Sequence, residues 1–155
     1  MKNLKFRFQA FLGSGFYTGY FPVAPATVTS FFTLIPAYFL CRQLLLSALI
    51  IIIVFFLGVW LASDLEKVWG KDPKRVTIDE ICGTLITFFY NPVSLFGLFL
   101  GFLCWRGFDV LKLPFINRMQ EVKGGWGVML DDVLAGICAN IVLRILILII
   151  PGLRG

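Results

Sequence analysis

The sequence predicts an all-α, multi-pass membrane bundle of about five helices, and two observations support this. Of the 155 residues, 59% are hydrophobic and only 15% are charged, with a mean hydropathy of +0.88. Soluble domains are about one quarter charged, and one core of this size buries only about 70% of the unfolded surface. The second observation is an uncharged run from residue 43 to 62, which as a helix of about 30 Å would cross a bilayer.

Charged stretches and turn residues divide the chain into five predicted helices within a single domain, residues 1–155. Asn91-Pro92 is a turn signal, and Pro151-Gly152 ends the last apolar segment. The first, third and fourth helices are short for full spans, so we expect some of them to be tilted, partly embedded or packed within the bundle. The predicted helices cover residues 28–41, 43–62, 78–90, 93–111 and 131–150.

The turn at Asn91-Pro92 predicts a helical hairpin, which places the charged stretches 63–80 and 106–132 on the same side of the membrane. That side then carries all nine Asp and Glu residues and most of the 14 Lys and Arg residues. Arg42 and Arg154 fall on the opposite side. The positive-inside rule therefore predicts that the charged side faces the cytoplasm.

Two further patterns are interpreted as structural. The four cysteines, at positions 41, 82, 104 and 138, lie in or beside apolar segments without a C-x-x-C pair, so we expect them to pack. Cys138 and Arg144 match the C-x5-R spacing of cysteine phosphatases, but the segment lacks glycines and is typical of a helix. Arg144 is expected to snorkel or to contact another helix. The absence of histidine excludes Ser-His-Asp hydrolases and histidine-dependent lipid phosphatases.

Five carboxylates stand at predicted helix ends on the charged side: Asp79, Glu80, Asp109, Asp131 and Asp132. Such a cluster suits Mg²⁺, which prefers oxygen ligands and often uses one or two carboxylates with phosphate oxygens. Each acid also has a structural interpretation. Glu80 could close a capping box with Thr77, and Asp131-Asp132 could favour a helix N-terminus. Asp109 could form a salt-bridge ladder with Arg106 and Lys112.

Groups suited to an anion lie near these acids in the sequence. Gly13-Ser14-Gly15, Thr27 and Ser30 lie near the start of the first predicted helix, and Lys123-Gly124-Gly125 leads toward Asp131. Glycines let backbone amides approach a phosphate closely. Each of these groups is a weak signal alone. Together with the carboxylates they indicate a phosphate site.

These segments together resemble the phosphatidylglycerophosphatase A family of membrane-associated, Mg²⁺-dependent lipid phosphatases. The resemblance spans nearly the whole chain, and its most specific segment is GGWGVMLDD, residues 124–132. At residues 25–30 the family pattern is Pro-Gly-Thr-x-Gly-Ser, and this sequence has Ala26 and Thr29 where the pattern has glycines. The resemblance rests on residues 13–15, 22–30, 72–73, 78–83, 106–114 and 124–136.

The resemblance implies a multi-pass enzyme of the bacterial inner membrane that converts phosphatidylglycerophosphate to phosphatidylglycerol at the cytoplasmic face, with Mg²⁺ as cofactor. The five carboxylates are then expected to be catalytic and to bind Mg²⁺ directly or through water. Water and an aspartate carboxylate both fit as the nucleophile. The expected partners are an anionic phospholipid and the membrane, without nucleic acid. Phosphate is expected to be held by Ser14, Thr27, Ser30, Arg106, Lys112 and Lys123.

An ion- or proton-translocating membrane protein is the main alternative, because intramembrane carboxylates with Arg144 could form a path. Such a path needs acids along the bilayer, whereas here they gather at one edge. A structural subunit anchored by surface charge is a second alternative. A nucleic-acid-binding module fits least well, since nine acids interleave with the basic residues.

Overall fold

The computed structural model describes residues 2–71, 73–111 and 113–155, which form seven α-helices and no β-strand. Two 3₁₀ turns, Thr18–Tyr20 and Pro151–Leu153, accompany them. The all-α prediction is confirmed. The helices are α1 (Lys2–Gly13), α2 (Pro25–Leu40), α3 (Leu44–Trp69), α4 (Ile78–Thr87), α5 (Leu95–Leu111), α6 (Pro114–Met119) and α7 (Gly125–Ile149).

Several helix bounds differ from the prediction. The sequence does not predict α1 and α6, because polar or charged residues interrupt their short apolar runs. α3 continues to Trp69 and α7 begins at Gly125, so both enter stretches that charge or glycine content assigns to loops. Contacts between these two helices explain the extension. Gly125 N donates to Ser63 Oγ at 2.9 Å, and a Cβ atom at Gly125 would collide with the Val59 carbonyl oxygen.

The predicted hairpin between α4 and α5 is confirmed. Tyr90, just before the Asn91-Pro92 turn, adopts a φ of 52°, and the chain reverses there. Arg106, near the end of α5, returns to Glu80, near the start of α4, with Nη1 2.7 Å from Oε2. The two charged stretches therefore meet at the same end of the bundle.

The short helix α4 lies at the centre of the bundle and contacts α2, α3, α5 and α7. Buried residues surround it in three clusters, which include Leu65 and Met129 at one side and Phe88 with Leu143 at another. The third cluster contains the fully buried Trp105. Because α4 is held on all sides, the carboxylates at its first turn have fixed positions.

In the described part of the chain, the helices α3 and α7 are long and apolar enough to cross a membrane by length and composition. Their most apolar windows have mean hydropathies of 3.0 and 2.2, and only 22% and 28% of those windows is buried inside the protein. A core helix of a soluble protein would be mostly buried. α2 and α5, with 16 and 17 residues, are about 25 Å long, which is short of the hydrocarbon thickness of about 30 Å.

The end of α4 away from Glu80 is closed by polar side chains. Asn140 Nδ2 donates to the carbonyl oxygens of Ile86, Thr87 and Phe89 at 2.9–3.0 Å. Arg144 Nε donates to Asn91 Oδ1 at 3.1 Å, so Arg144 contacts the turn after α4 and not another helix as expected. Cys138 lies within α7, and all four cysteines are free thiols.

Gly83 on α4 is expected to be intolerant of a side chain. A Cβ atom there would overlap the Trp105 indole, and overpacking of a filled core costs about 1–3 kcal/mol. Gly83→Ala should therefore lower the unfolding temperature of the protein in detergent. Circular dichroism measures this temperature. Gly107→Ala is the matched control, because a Cβ atom at Gly107 would have no neighbouring atom within 4 Å and alanine favours a helix. Equal unfolding temperatures for the two variants would contradict this packing.

Candidate active site

The structure brings all five predicted carboxylates to one cleft with a volume of about 580 Å³. α4 contributes two of them, α5 one and α7 two. Lys74 and Gln120 also line the cleft. Acids that are up to 53 positions apart in sequence therefore share one space, as the hairpin predicts. The carboxylates are Asp79, Glu80, Asp109, Asp131 and Asp132.

Three of these carboxylates form a compact group that could hold a metal ion. One oxygen each from Glu80, Asp109 and Asp132 lies within 4.8 Å of the others. Asp132 is 4% exposed, and its Oδ2 accepts no hydrogen bond from any residue that the structure describes. A buried carboxylate oxygen without a partner is energetically costly. The all-oxygen donor set and this oxygen fit a hard cation such as Mg²⁺.

Arg106 contacts two of the three carboxylates of this group. Its Nη1 lies 2.7 Å from Glu80 Oε2 and 2.7 Å from Asp109 Oδ2. The predicted salt bridge between Arg106 and Asp109 is therefore present, while Lys112 lies outside the described residues. Because Arg106 pairs with Glu80 and Asp109, it does not neutralise the charge of Asp132.

Ser30 lies behind Glu80. Its Oγ donates to Glu80 Oε2 at 2.8 Å and accepts from Trp105 Nε1 at 3.2 Å, and Ser30 and Trp105 have no exposed surface. The capping box between Thr77 and Glu80 is not formed, since Thr77 makes no side-chain cap. Burial raises the pKa of Glu80, which lies outside the two candidate spans, to about 7, against the opposing effect of Arg106.

The two remaining acids are held by local hydrogen bonds. Asp79 Oδ1 accepts from the Glu80 amide at 3.0 Å, and Asp131 Oδ2 accepts from Gln120 Nε2 at 2.6 Å. The interpretation of Asp131-Asp132 as a helix start is wrong, because α7 begins at Gly125 and both acids lie inside it. Their positions are fixed by packing instead of by a helix end.

Several of the predicted phosphate-binding residues do not line the cleft. Ser14 is buried and donates to the Ala10 carbonyl, and Thr27 is a half-buried residue of α2. Lys123 is exposed, and neither it nor Thr27 lines the cleft. The structure therefore brings the acids together more closely than the hydroxyl groups and the lysine.

The segment that departs from the family pattern is helical. Pro25 occupies the first turn of α2, so Ala26 and Thr29 both lie in this helix, which begins three residues before the predicted start at residue 28. Ala26 lines the cleft. Thr29 Oγ1 is hydrogen-bonded to Thr18 Oγ1 and the Pro25 carbonyl oxygen. The extra methyl groups of this segment are therefore accommodated without positive φ angles at either position.

Sequence reasoning missed three residues of the site. Lys74 could have been found from its charge within the stretch 63–80. Gln120 carries no such signal, because its position in the cleft depends on the unpredicted helix α6, which ends just before it. Trp105 carries none either, because it lies in an apolar run.

A family profile and several curated relatives match this chain. The sequence profile of the family described as "PgpA: Phosphatidylglycerophosphatase A" matches residues 11–147. A Bacteroides thetaiotaomicron protein, provisionally named a phosphatidylinositol-3-phosphatase, is 35% identical over 143 residues, which cover 86% of this chain and 90% of its own. Phosphatidylglycerophosphatase A of Escherichia coli K12 is 32% identical over 132 residues, covering 81% and 76%.

Phosphatidylglycerophosphatase A of Haemophilus influenzae is 33% identical over 137 residues, which cover 84% of this chain and 83% of the relative. No solved structure gives a significant match. The profile covers most of the chain, including all five clustered carboxylates. The chain therefore belongs to the phosphatidylglycerophosphatase A family and is a phosphatase.

Proposed function

We propose that this protein hydrolyses the terminal phosphate of phosphatidylglycerophosphate, in a Mg²⁺-dependent reaction, to give phosphatidylglycerol and inorganic phosphate. The observation that carries the proposal is the oxygen cluster of Glu80, Asp109 and Asp132, with the unpartnered Asp132 Oδ2 among the described residues. Two relatives named phosphatidylglycerophosphatase A support the substrate.

Mg²⁺ would be held by Glu80, Asp109 and Asp132, with Asp79 and Asp131 acting through water molecules from the same cleft. When bound, the cation would neutralise charge on the phosphate oxygens. The protein's own contribution is to keep the ligands in place. Ser30 holds the Glu80 carboxylate from behind through its hydroxyl group.

Phosphate binding is assigned to cationic side chains around the cleft. Both ion pairs of Arg106 use Nη1, so its other N–H groups can donate to phosphate oxygens. Lys74 lines the same space and adds a positive charge. Lys112 and Lys123 stay predictions for this role.

Hydrolysis breaks the terminal P–O bond; the attacking water supplies a hydroxyl to phosphorus and its proton goes to the departing lipid alkoxide. A carboxylate must accept this proton from the water as attack begins and then pass it to the alkoxide. Asp79 and Asp131 both line the cleft, so either can take this role. An aspartate nucleophile is the alternative that the same residue set permits.

The protein is proposed to be a multi-pass protein of the inner membrane with its cleft at the cytoplasmic face. α3 and α7 expose apolar surface along candidate spans. α1, with Lys5 and Arg7, packs at the cleft end through Phe6–Trp69 and Gln9–Asp64 contacts. The basic excess at this end agrees with a cytoplasmic face.

The test is phosphate release by purified protein in detergent micelles. Release from phosphatidylglycerophosphate should require Mg²⁺, stop with EDTA and return when Mg²⁺ is added in excess. Phosphatidylinositol-3-phosphate and phosphatidic acid are the comparison substrates, the first because of the name of the Bacteroides relative. A higher kcat/KM for phosphatidylinositol-3-phosphate would reassign the substrate. No release from any lipid phosphate would reject the enzymatic proposal.

Ser30→Ala is expected to lower kcat about tenfold with little change in KM, because the serine orients Glu80 behind the cleft and positioning losses act mainly on turnover. The measurement is steady-state phosphate release at saturating Mg²⁺. Thr33→Ala is the matched control, since this buried hydroxyl of the same helix bonds only the Thr29 carbonyl among the described residues. A KM increase without a kcat change would instead assign Ser30 to substrate binding.

A further inference from the structure

The end of the bundle opposite the carboxylate cleft contains a cavity lined by arginine side chains, called here the basic cavity. Its volume is about 550 Å³, and Arg42, Arg144 and Arg154 line it with Tyr90 and Asn91. No acidic side chain lines it in the part of the chain that the structure describes. Along α7, Arg144 lies about 18 Å beyond the cleft acids, so the two sites are distinct.

Arg144 is held in this cavity by two hydrogen bonds to the turn after α4. Its Nε donates to Oδ1 of Asn91, which is 2% exposed, and its Nη2 donates to the Tyr90 carbonyl oxygen, each at 3.1 Å. Asn91 Nδ2 in turn donates to the Asn140 carbonyl oxygen at 3.2 Å. These contacts hold the guanidinium at the turn that follows α4.

Arg154 is placed by a separate set of backbone contacts. Val93 and Arg154 form an antiparallel β-bridge, and Ser94 N donates to the Leu153 carbonyl oxygen at 2.8 Å. Ser94 Oγ donates to the Gly152 carbonyl oxygen at 2.9 Å. The C-terminal segment is thereby attached to the turn after α4, which holds Arg154 beside the basic cavity.

Arg42 and Arg154 are exposed, and neither forms an ion pair with a residue that the structure describes. Three guanidinium groups around one cavity repel each other, and an anion between them would remove that repulsion. Arginine binds phosphate oxygens through paired N–H donors. We propose that the basic cavity binds the phosphate headgroup of an anionic phospholipid in the leaflet opposite the catalytic cleft.

The apolar wall of the cavity favours a lipid over a free anion. Ile147 and Leu148 line it, and Leu148 is 80% exposed. Both residues belong to α7, a candidate membrane span whose outward face is apolar. A headgroup between the arginines would therefore have its acyl chains against Leu148, whereas inorganic phosphate gains nothing from this surface.

The test is lipid binding to the full-length protein in micelles, measured by native mass spectrometry. The probe is dioleoylphosphatidylserine, a phosphodiester without a terminal phosphate to hydrolyse, and phosphatidylcholine is the zwitterionic reference. The double variant Arg42→Gln/Arg154→Gln should bind phosphatidylserine at least about tenfold more weakly, with phosphate release in detergent unchanged. Arg144 is left intact because it supports the turn after α4.

The control variant is Arg7→Gln/Arg118→Gln, which removes the same charge from two exposed residues elsewhere. It should bind phosphatidylserine within twofold of the unchanged protein. Equal losses in the two double variants, or none in the first, would overturn the proposal. Equal binding of phosphatidylcholine would do so too. Displacement of the lipid by an equal concentration of inorganic phosphate would identify a free-anion site instead.

Discussion

Asp132→Asn is expected to lower phosphate release by at least about 10³-fold while the protein stays folded. Asparagine keeps the shape of the side chain but removes the charge of the oxygen that has no hydrogen-bond partner among the described residues. If that oxygen binds Mg²⁺, its loss removes several kcal/mol of stabilisation, and each 1.4 kcal/mol is tenfold in rate. The measurement is steady-state phosphate release over a range of Mg²⁺ concentrations.

The same variant has a readout that does not depend on activity. Mg²⁺ that binds the folded state raises the unfolding temperature, so the unchanged protein should be stabilised by Mg²⁺ and the Asp132→Asn protein should not. In EDTA the variant should be at least as stable, because a buried carboxylate near Glu80 and Asp109 is removed. Glu121→Gln, at an exposed acid, should behave like the unchanged protein. Full activity of Asp132→Asn would exclude this residue as a metal ligand.

Arg106→Gln is expected to reduce turnover by about 10²–10³-fold, the range measured when a charge-stabilising donor is removed from an active site. It should also tighten Mg²⁺ binding, because Arg106 Nη1 contacts the same Glu80 and Asp109 oxygens that are proposed to bind the cation. A slower enzyme that needs less Mg²⁺ is therefore the expected combination. Initial rates across a Mg²⁺ titration measure both quantities.

Arg106→Lys should recover little of this activity, since a single ammonium cannot bridge two carboxylates and also bind phosphate as a planar guanidinium does. Arg118→Gln is the control, because this arginine of α6 is exposed and lies outside the carboxylate cluster. Slower turnover with weaker Mg²⁺ binding would show that Arg106 supports the carboxylates and does not compete for them.

The sequence predicts the parts of this structure that depend on strong local signals. Asn91-Pro92 indicates the α4–α5 hairpin, and the hairpin brings Glu80 and Asp109 together. The start of α7 is not predictable in the same way, because the close approach of Gly125 to α3 is a tertiary contact. A glycine-rich segment suggests a phosphate loop from sequence, whereas Gly125 of this segment here allows α7 to pack closely against α3.

The position of Ser30 shows the same limit at the site. Its hydroxyl type and its place in the family pattern suggest a phosphate ligand, but its burial under Glu80 depends on how α2 packs against α4 and α5. Likewise, the oxygen chemistry of the acids indicates a hard cation from sequence alone. Which three of the five acids approach each other follows only from the helix arrangement.

The Trp105 indole links core volume to the chemistry of the cleft. One edge of the ring fills the space above Gly83, and its N–H group reaches Ser30, which holds Glu80. A methyl group gained at position 83 would push this ring and, through it, the carboxylate. Evolution at these positions is therefore constrained jointly: a larger residue at 83 should be tolerated only in relatives that carry a smaller ring or an aliphatic residue at 105.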